Sequence, residues 1–338
     1  MLALISIGGT FVPHLSVTVA LILTAVDLGV LIYFIHHTAT AIQLPEVIAS
    51  IARELAHAID AENEGNGQRD ELVNGPSLAV LHARLDRDGR VVTAAASGYL
   101  RFVRNATLLR IAAESDAVIR LHYRPGHFLT QGYPVATVWP PDVADTIHRR
   151  LENVHITGPL RTLTQDIAFG IDQLVEIGIR ALSPAVNDTF TALTCIDWLG
   201  DSLSRIAVEW HPDTYHRDRG GQIRLITAPV SYERLVQRSF EKIRQAASGM
   251  PAVLIRQLEA LARIMAVAPA SRTQVLLDQA AMIQRLNLRT VPEEADRADV
   301  TARYEAVLAV RGEATVTEAV APVAEEPGEA GSQPRPFG

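Results

Sequence analysis

The sequence is short of two reactive side chains. Cys195 is the only cysteine and Lys242 the only lysine among 338 residues, against thirty arginines. One cysteine excludes an internal disulfide and any zinc site built on paired cysteines. One lysine means that chemistry needing a primary amine rests on Lys242 or does not occur. Basic residues form no stripe, and the net charge is −7, so nucleic acid is not an expected partner. The tail from Gly312 to Gly338 carries five glutamates and one arginine, which is −4 of that charge. Also missing are GxSxG, HExxH, a P-loop, and a GxGxxG that opens a helix. No cofactor is expected, no metal set has a recognisable spacing, and no catalytic constellation is visible.

Only one long hydrophobic run is present. His14 to Ile35 reads HLSVTVALILTAVDLGVLIYFI, about 33 Å as a helix, enough to cross a hydrocarbon core of about 30 Å. It predicts one transmembrane anchor, with Tyr33, His36 and His37 at an interface. Asp27 sits near its centre, where an ionised carboxylate costs about 2.5–3.5 kcal/mol, so a partner helix is expected to face it. His14, Thr18, Ala25, Gly29 and His36 share one helix face of small or weakly polar residues, which suits packing against other transmembrane helices or further copies of the chain. The bilayer and such helices are the expected partners. The expected location is a bacterial inner membrane, N-terminus out, with the soluble part in the cytoplasm.

The rest has the balance of a water-soluble body: 48% hydrophobic and 20% charged. The fold class expected is α+β. Residues 1–43 form the anchor and 44–75 a juxtamembrane helix and linker. Val47, Ile48, Ile51, Leu55 and Ile59 line one side of that helix, and ENEGNGQRDE reads as a loop. Residues 76–140 read as a small β-rich unit, barrel- or sandwich-like: LAVLHARL and GRVVTAAASGYLRFV as strands joined by DRDG, a helix over ATLLRIAAES capped by Asn105, then short strands with RPGH and TQGYP as turns. Residues 141–311 read as a helical domain. A helix capped by Asp142 is followed by a long one from Thr164 to Leu182, stopped by SPAVND, and another from Thr189 to Val208 capped by Asn187 or Asp188. A β-hairpin tipped by RDRGG and further helices from Tyr232 to Val310 complete it. The acidic tail, 312–338, reads as disordered.

Two segments resemble one family. FVPHLSVTVALILTAVDLGVLIYFIHH (Phe11–His37) resembles the last transmembrane segment of the DUF2254 family of predicted bacterial membrane proteins. DIAFGIDQLVEIGIRALSPAVNDTFTALTC (Asp166–Cys195) resembles its most distinctive stretch, with FGI, QLV, RALSP and ND. The resemblance covers about residues 11–290. It implies location and architecture but no activity. Members typically carry several membrane helices before this point, so the chain reads as an N-terminally short member, and Asp27 stands where a small or apolar residue is expected. More loosely, RPGHFLTQGYPVATV resembles a turn and strand of a biotinyl/lipoyl-like barrel, but it holds no lysine to carry the cofactor.

The best candidate site surrounds SPAVND. Asp166, Gln173, Glu176 and Arg180 fall on one face of the first helix. The loop brings Ser183, Asn187, Asp188 and Thr191 back toward Arg180, where an arginine beside a helix N-terminus can hold an anion. The alternative is a closed turn held by Ser183 and Asn187 caps and an Arg180–Asp188 pair. His211, Asp213 and His216, and His122 with His127, are solvated histidines rather than metal ligands on this reading, and Cys195 is a core residue. The functional reading is a membrane-anchored, non-enzymatic module that binds a ligand or partner. The alternatives are an ion or proton conduit through Asp27 in an oligomeric bundle, and an enzyme whose pocket is lined by Asp166, Arg180 and Asp188.

Overall fold

A computed structural model describes residues 14–41, 44–65, 74–151 and 154–320. The first element, α1 (His14–Ala41), is the apolar helix; Leu15–Phe34 has mean hydropathy 2.3 and buries none of itself in the rest of the protein. Among the described residues it is the one helix long and apolar enough to cross a membrane. Two residues later α2 (Leu44–Gly65) begins. It packs as its periodicity requires: Ile48, Leu55 and Ile59 are fully buried and Ile51 partly so, while Val47 remains exposed. Each such aliphatic burial stabilises by about 1.5–3 kcal/mol.

The chain is mixed α and β, and its strands form two open sheets rather than a closed barrel. LAVLHARL is not a strand. It is helix α3 (Leu78–Asp88), because Leu81 and Leu85, four apart, are the residues that reach the core. DRDG therefore ends a helix, with the Gly89 N–H bonded to the Leu85 carbonyl, instead of joining two strands. Then come β1 (Arg90–Thr93), β2 (Gly98–Val103), α4 (Asn105–Glu114), β3 (Val118–Leu121), β4 (Phe128–Leu129) and β5 (Pro134–Trp139). Asn105 is the first residue of α4 and Arg104 its cap, with no side-chain cap bond. A 3-10 turn, Pro141–Val143, takes up Asp142 ahead of α5 (Ala144–Leu151), and β6 (His155–Gly158) was not foreseen.

The helical part follows as α6 (Ile167–Ala181), α7 (Thr189–Glu209), the hairpin β7 (Tyr215–Arg217) and β8 (Ile223–Ile226), then α8 (Tyr232–Ala246), α9 (Pro251–Val267), α10 (Thr273–Thr290) and α11 (Glu294–Val320). The last helix takes in residues 312–320 of the expected disordered tail; 321–338 lie outside the described residues, as does most of the loop after α2.

One sheet runs β1-β5-β3-β8-β7, with β3 and β8 parallel; the other runs β4-β2-β6. The hairpin thus completes a sheet begun a hundred residues earlier. One core lies against the sheets, around Leu100, Leu108, Ile119 and Ile147. The other lies among α2 and the helices from α6 onward, around Leu55, Ile171, Leu199 and Phe240. Gly170 lets α2 approach α6: a Cβ there would sit 3.3 Å from Leu55. Leu55 beside Gly170, Asp60 bonded to Arg205, and Gly178 beside Cys195 fix directions. Helix α2 runs antiparallel to α6 and parallel to α7, so the start of α2 lies level with the α6–α7 loop.

Candidate functional site

The site starts from one cap. Asp166 accepts the Phe169 N–H at 3.2 Å and so closes the first turn of α6. It is also buried, 5% exposed, which a carboxylate tolerates only when paired. Arg161 supplies the pair with Nε 2.9 Å and Nη2 2.8 Å from Oδ2. Through Nη1, Arg161 reaches Asp172, nearly two turns further along α6, and Arg238 of α8 reaches the same Asp172 oxygen, each at 2.7 Å. The guanidinium of Arg161 also lies over the Phe169 ring, 4.8 Å from its centroid.

The RPGH turn closes over this network. Gly126 has φ +91°, and a Cβ there would come within 2.0 Å of Asp166 Oδ2, so only glycine fits. Beside it, His127 is held neutral: burial, then Arg124, Arg161 and Arg238, push its pKa down to about 4. Burial raises the Asp166 carboxyl above its ordinary range, with Arg161 pulling the other way. Burial and then Arg238 lower the proton affinity of Arg124. Three guanidinium groups (Arg124, Arg161, Arg238) meet two carboxylates (Asp166, Asp172). The surplus charge sits on Arg124, whose side chain makes no hydrogen bond or ion pair among the described residues and is drawn toward Asp166 at longer range.

Arg124 and Asp166 border a cleft of about 1040 Å³ between the sheets and the helices. Phe102, Ala106 and Leu121 form its sheet-side wall; Ala58, Ile167 and Val230 form the opposite one. Gln165 ties the two sides together, accepting from the Val103 N–H at 2.8 Å and donating to its carbonyl at 3.2 Å. At the helical side stands Glu62, whose carboxyl is pushed up by burial while the indole N–H of Trp210 acts in the opposite sense. That contact falls short of a hydrogen bond, and Trp210 Nε1 has no hydrogen-bond partner among the described residues.

The residues expected around SPAVND do not form one site. Asp166 belongs to the cleft, and Gln173 is half-buried midway along α6. Arg180 is about 20 Å from Asp166 along the helix. It pairs with Glu176 at 2.7 Å in solvent, not with Asp188. Asp188 caps α7 itself, accepting the Thr191 N–H at 3.1 Å and the Thr191 hydroxyl at 2.6 Å. Ser183 holds the turn with its carbonyl, which accepts from the N–H of Val186 and Asn187, and not with its side chain. Asn187 is not a cap; it turns the chain with φ +50°. The expected Arg180–Asp188 pair and Asn187 cap are thus replaced by two local contacts.

His122 bonds Thr137 at 2.8 Å and His216 bonds Thr227 at 3.3 Å. Among the described residues no three His, Cys, Asp or Glu side chains converge as metal ligands. Cys195 is buried, its thiol pushed up to about 12 by burial. Asp27 lies in exposed α1, while the side chains of His14 and His36 lie outside the described residues. Sequence reasoning missed Arg161, Asp172, Arg238, Arg124 and Gly126. The glycine of RPGH carried the one local signal, a turn requiring positive φ.

The family described as predicted membrane protein (DUF2254) matches residues 1–263. Two mycobacterial proteins, uncharacterized protein Rv1290c of Mycobacterium tuberculosis (strain H37Rv) and uncharacterized protein Mb1321c of Mycobacterium bovis, are each 32% identical over 301 residues, covering 87% of this chain. The chain spans 56% of the length of these relatives. No solved structure matches it. With the family matched across both the apolar helix and the α6–α7 region, the chain belongs to the DUF2254 family of predicted membrane proteins.

Proposed function

We propose that this chain is a membrane-anchored binding module, and that its ligand is a small molecule with an acidic group. The acidic group lies on Arg124 and the apolar body lies along Phe102 and Ile167. The observation that carries this reading is the cleft: about 1040 Å³, with apolar side chains on both walls, polar ones between them and, at its edge, the Arg124 side chain, which no carboxylate pairs among the described residues. Cavities that hold small ligands have this size and combine apolar walls with polar groups. A phosphate or carboxylate takes the place that a third carboxylate would otherwise fill beside Arg124. Helix α1, exposed along Leu15–Phe34 and carrying Asp27, is placed by the same reading against other transmembrane helices or further copies of the chain.

Native mass spectrometry of the detergent-extracted protein tests the reading. A co-purifying anion of a few hundred daltons is expected, lost in Ala106→Trp, which fills the cleft, and weakened at least tenfold in Arg124→Gln. Absence of any bound anion, together with no thermal shift from a panel of carboxylates and phosphate esters, would overturn it.

A further inference from the structure

We infer that the end of the helical domain nearest the anchor is a second membrane contact, a surface that lies on anionic lipid headgroups. Three observations converge on it, and none involves the cleft.

The first is placement. Ala41 ends α1 and Leu44 begins α2, so three Cα steps, about 11 Å at most, separate the two helices. Because α2 is antiparallel to α6, its start is level with the 182–190 loop. Ile243 of α8 packs on Gly178, and the Gly249 N–H donates to the Thr290 hydroxyl at 3.1 Å. The ends of α8 and α10 therefore reach the same level. The apolar span ends at Phe34, so seven further helical residues, about 10 Å, together with that connection tie this end to the bilayer.

The second is apolar exposure. Phe190 is 83% exposed, the highest value among the exposed large hydrophobic residues, α1 included; Val186 is 54% and Leu288 61% exposed. They come from two separate segments, the α6–α7 turn with the start of α7, and the end of α10. Aromatic and aliphatic side chains held at a headgroup boundary are what an interfacial contact requires.

The third is charge. Arg244, Arg285 and Arg289 lie close enough that the latter two lower the proton affinity of the first, after burial, against Glu241. Arg285 and Arg289 are exposed and make no ion pair among the described residues. Unpaired arginines beside exposed apolar side chains match a negatively charged bilayer surface, which attracts basic groups within about a Debye length.

The test uses the full chain in nanodiscs holding one copy each. An environment-sensitive fluorophore is placed at Phe190→Cys or Leu288→Cys; Cys195 is buried and does not compete for label. Leu160→Cys, exposed near the other end of α6, is the control. Shallow spin-labelled lipids should quench the labels at 190 and 288 at least twofold more than the label at 160. Adding phosphatidylglycerol to phosphatidylcholine discs should increase that quenching, and Arg285→Gln with Arg289→Gln should remove the increase. Equal quenching at 190, 288 and 160 would overturn the proposal. So would labels at 190 and 288 that are shielded from water yet unquenched by lipid, which would show that a protein surface covers this end.

Discussion

The two ends of α6 carry the same device and use it differently. Asp166 caps α6 and Asp188 caps α7, each accepting an N–H three residues on. At one end the cap is buried, ion-paired to Arg161 and roofed by Gly126, so it joins the β4 turn, the approach to α6 and, through Asp172, helix α8. At the other end the cap bonds only Thr191, and the turn around it is exposed. An N-cap stabilises one helix end, but it organises a domain only where burial forces the carboxylate to recruit distant cations. A cap motif in sequence therefore marks a helix start and does not by itself mark a site.

Substitution can break that contrast. Asp166→Ala should cost about 2–3 kcal/mol, because it removes the α6 cap and one of the two carboxylates paired with Arg161, whereas Asp188→Ala should cost much less; urea unfolding in detergent measures both. Equal losses would erase the distinction between the ends. Gly126→Ala should cost about 3 kcal/mol, since its Cβ meets Asp166 Oδ2 and φ is positive. Gly132→Ala, at φ +81° with nothing within 4 Å, isolates the backbone part at about 1 kcal/mol.

Between pH 6.5 and 4, acid should act on the sheet and Asp166 side through two histidines. His127 and His155 titrate near 4 in the folded state, the second through burial with its Nε2 unpartnered. The unfolded chain, with histidine near 6.5, binds more protons between those values. Stability contributed by neutral histidine is thus complete above about pH 6.5 and is lost as pH falls toward 4, by up to about 3 kcal/mol for His155. Protonation of Asp166, whose pKa is raised, works in the opposite sense. His155→Leu should flatten the slope of melting temperature against pH between 6.5 and 4; an unchanged slope would assign the acid sensitivity elsewhere. The smallest effect belongs to Arg180→Ala. Its exposed pair with Glu176 contributes at most about 0.5 kcal/mol, so the melting temperature should stay within error.

Much of the fold was legible. The apolar run located α1, helical periodicity located α2 and most helices from α6 onward, and RDRGG located the hairpin. LAVLHARL misled because its apolar residues at 78, 80, 81 and 85 fit a strand as well as one helix turn, and only burial of Leu81 and Leu85 separates the two. Of the candidate site, Asp166 was named from the sequence, but as a face residue of a helix expected from Thr164; the helix begins at Ile167, with Asp166 as its cap. Gly126 and Arg238 lie 40 residues before and 72 residues after it. No periodicity or motif spans such separations.

Sequence by itself determined the apolar N-terminal helix, most helices from α6 onward and the residues able to turn the chain, because these depend on hydropathy runs, side-chain periodicity and backbone freedom within a few residues. Tertiary structure alone decided that β8 pairs with β3, that three arginines gather around two aspartates, and that Arg124 is left over at the cleft. Pairing across long stretches of chain depends on which surfaces meet when two cores pack, and local composition does not encode that.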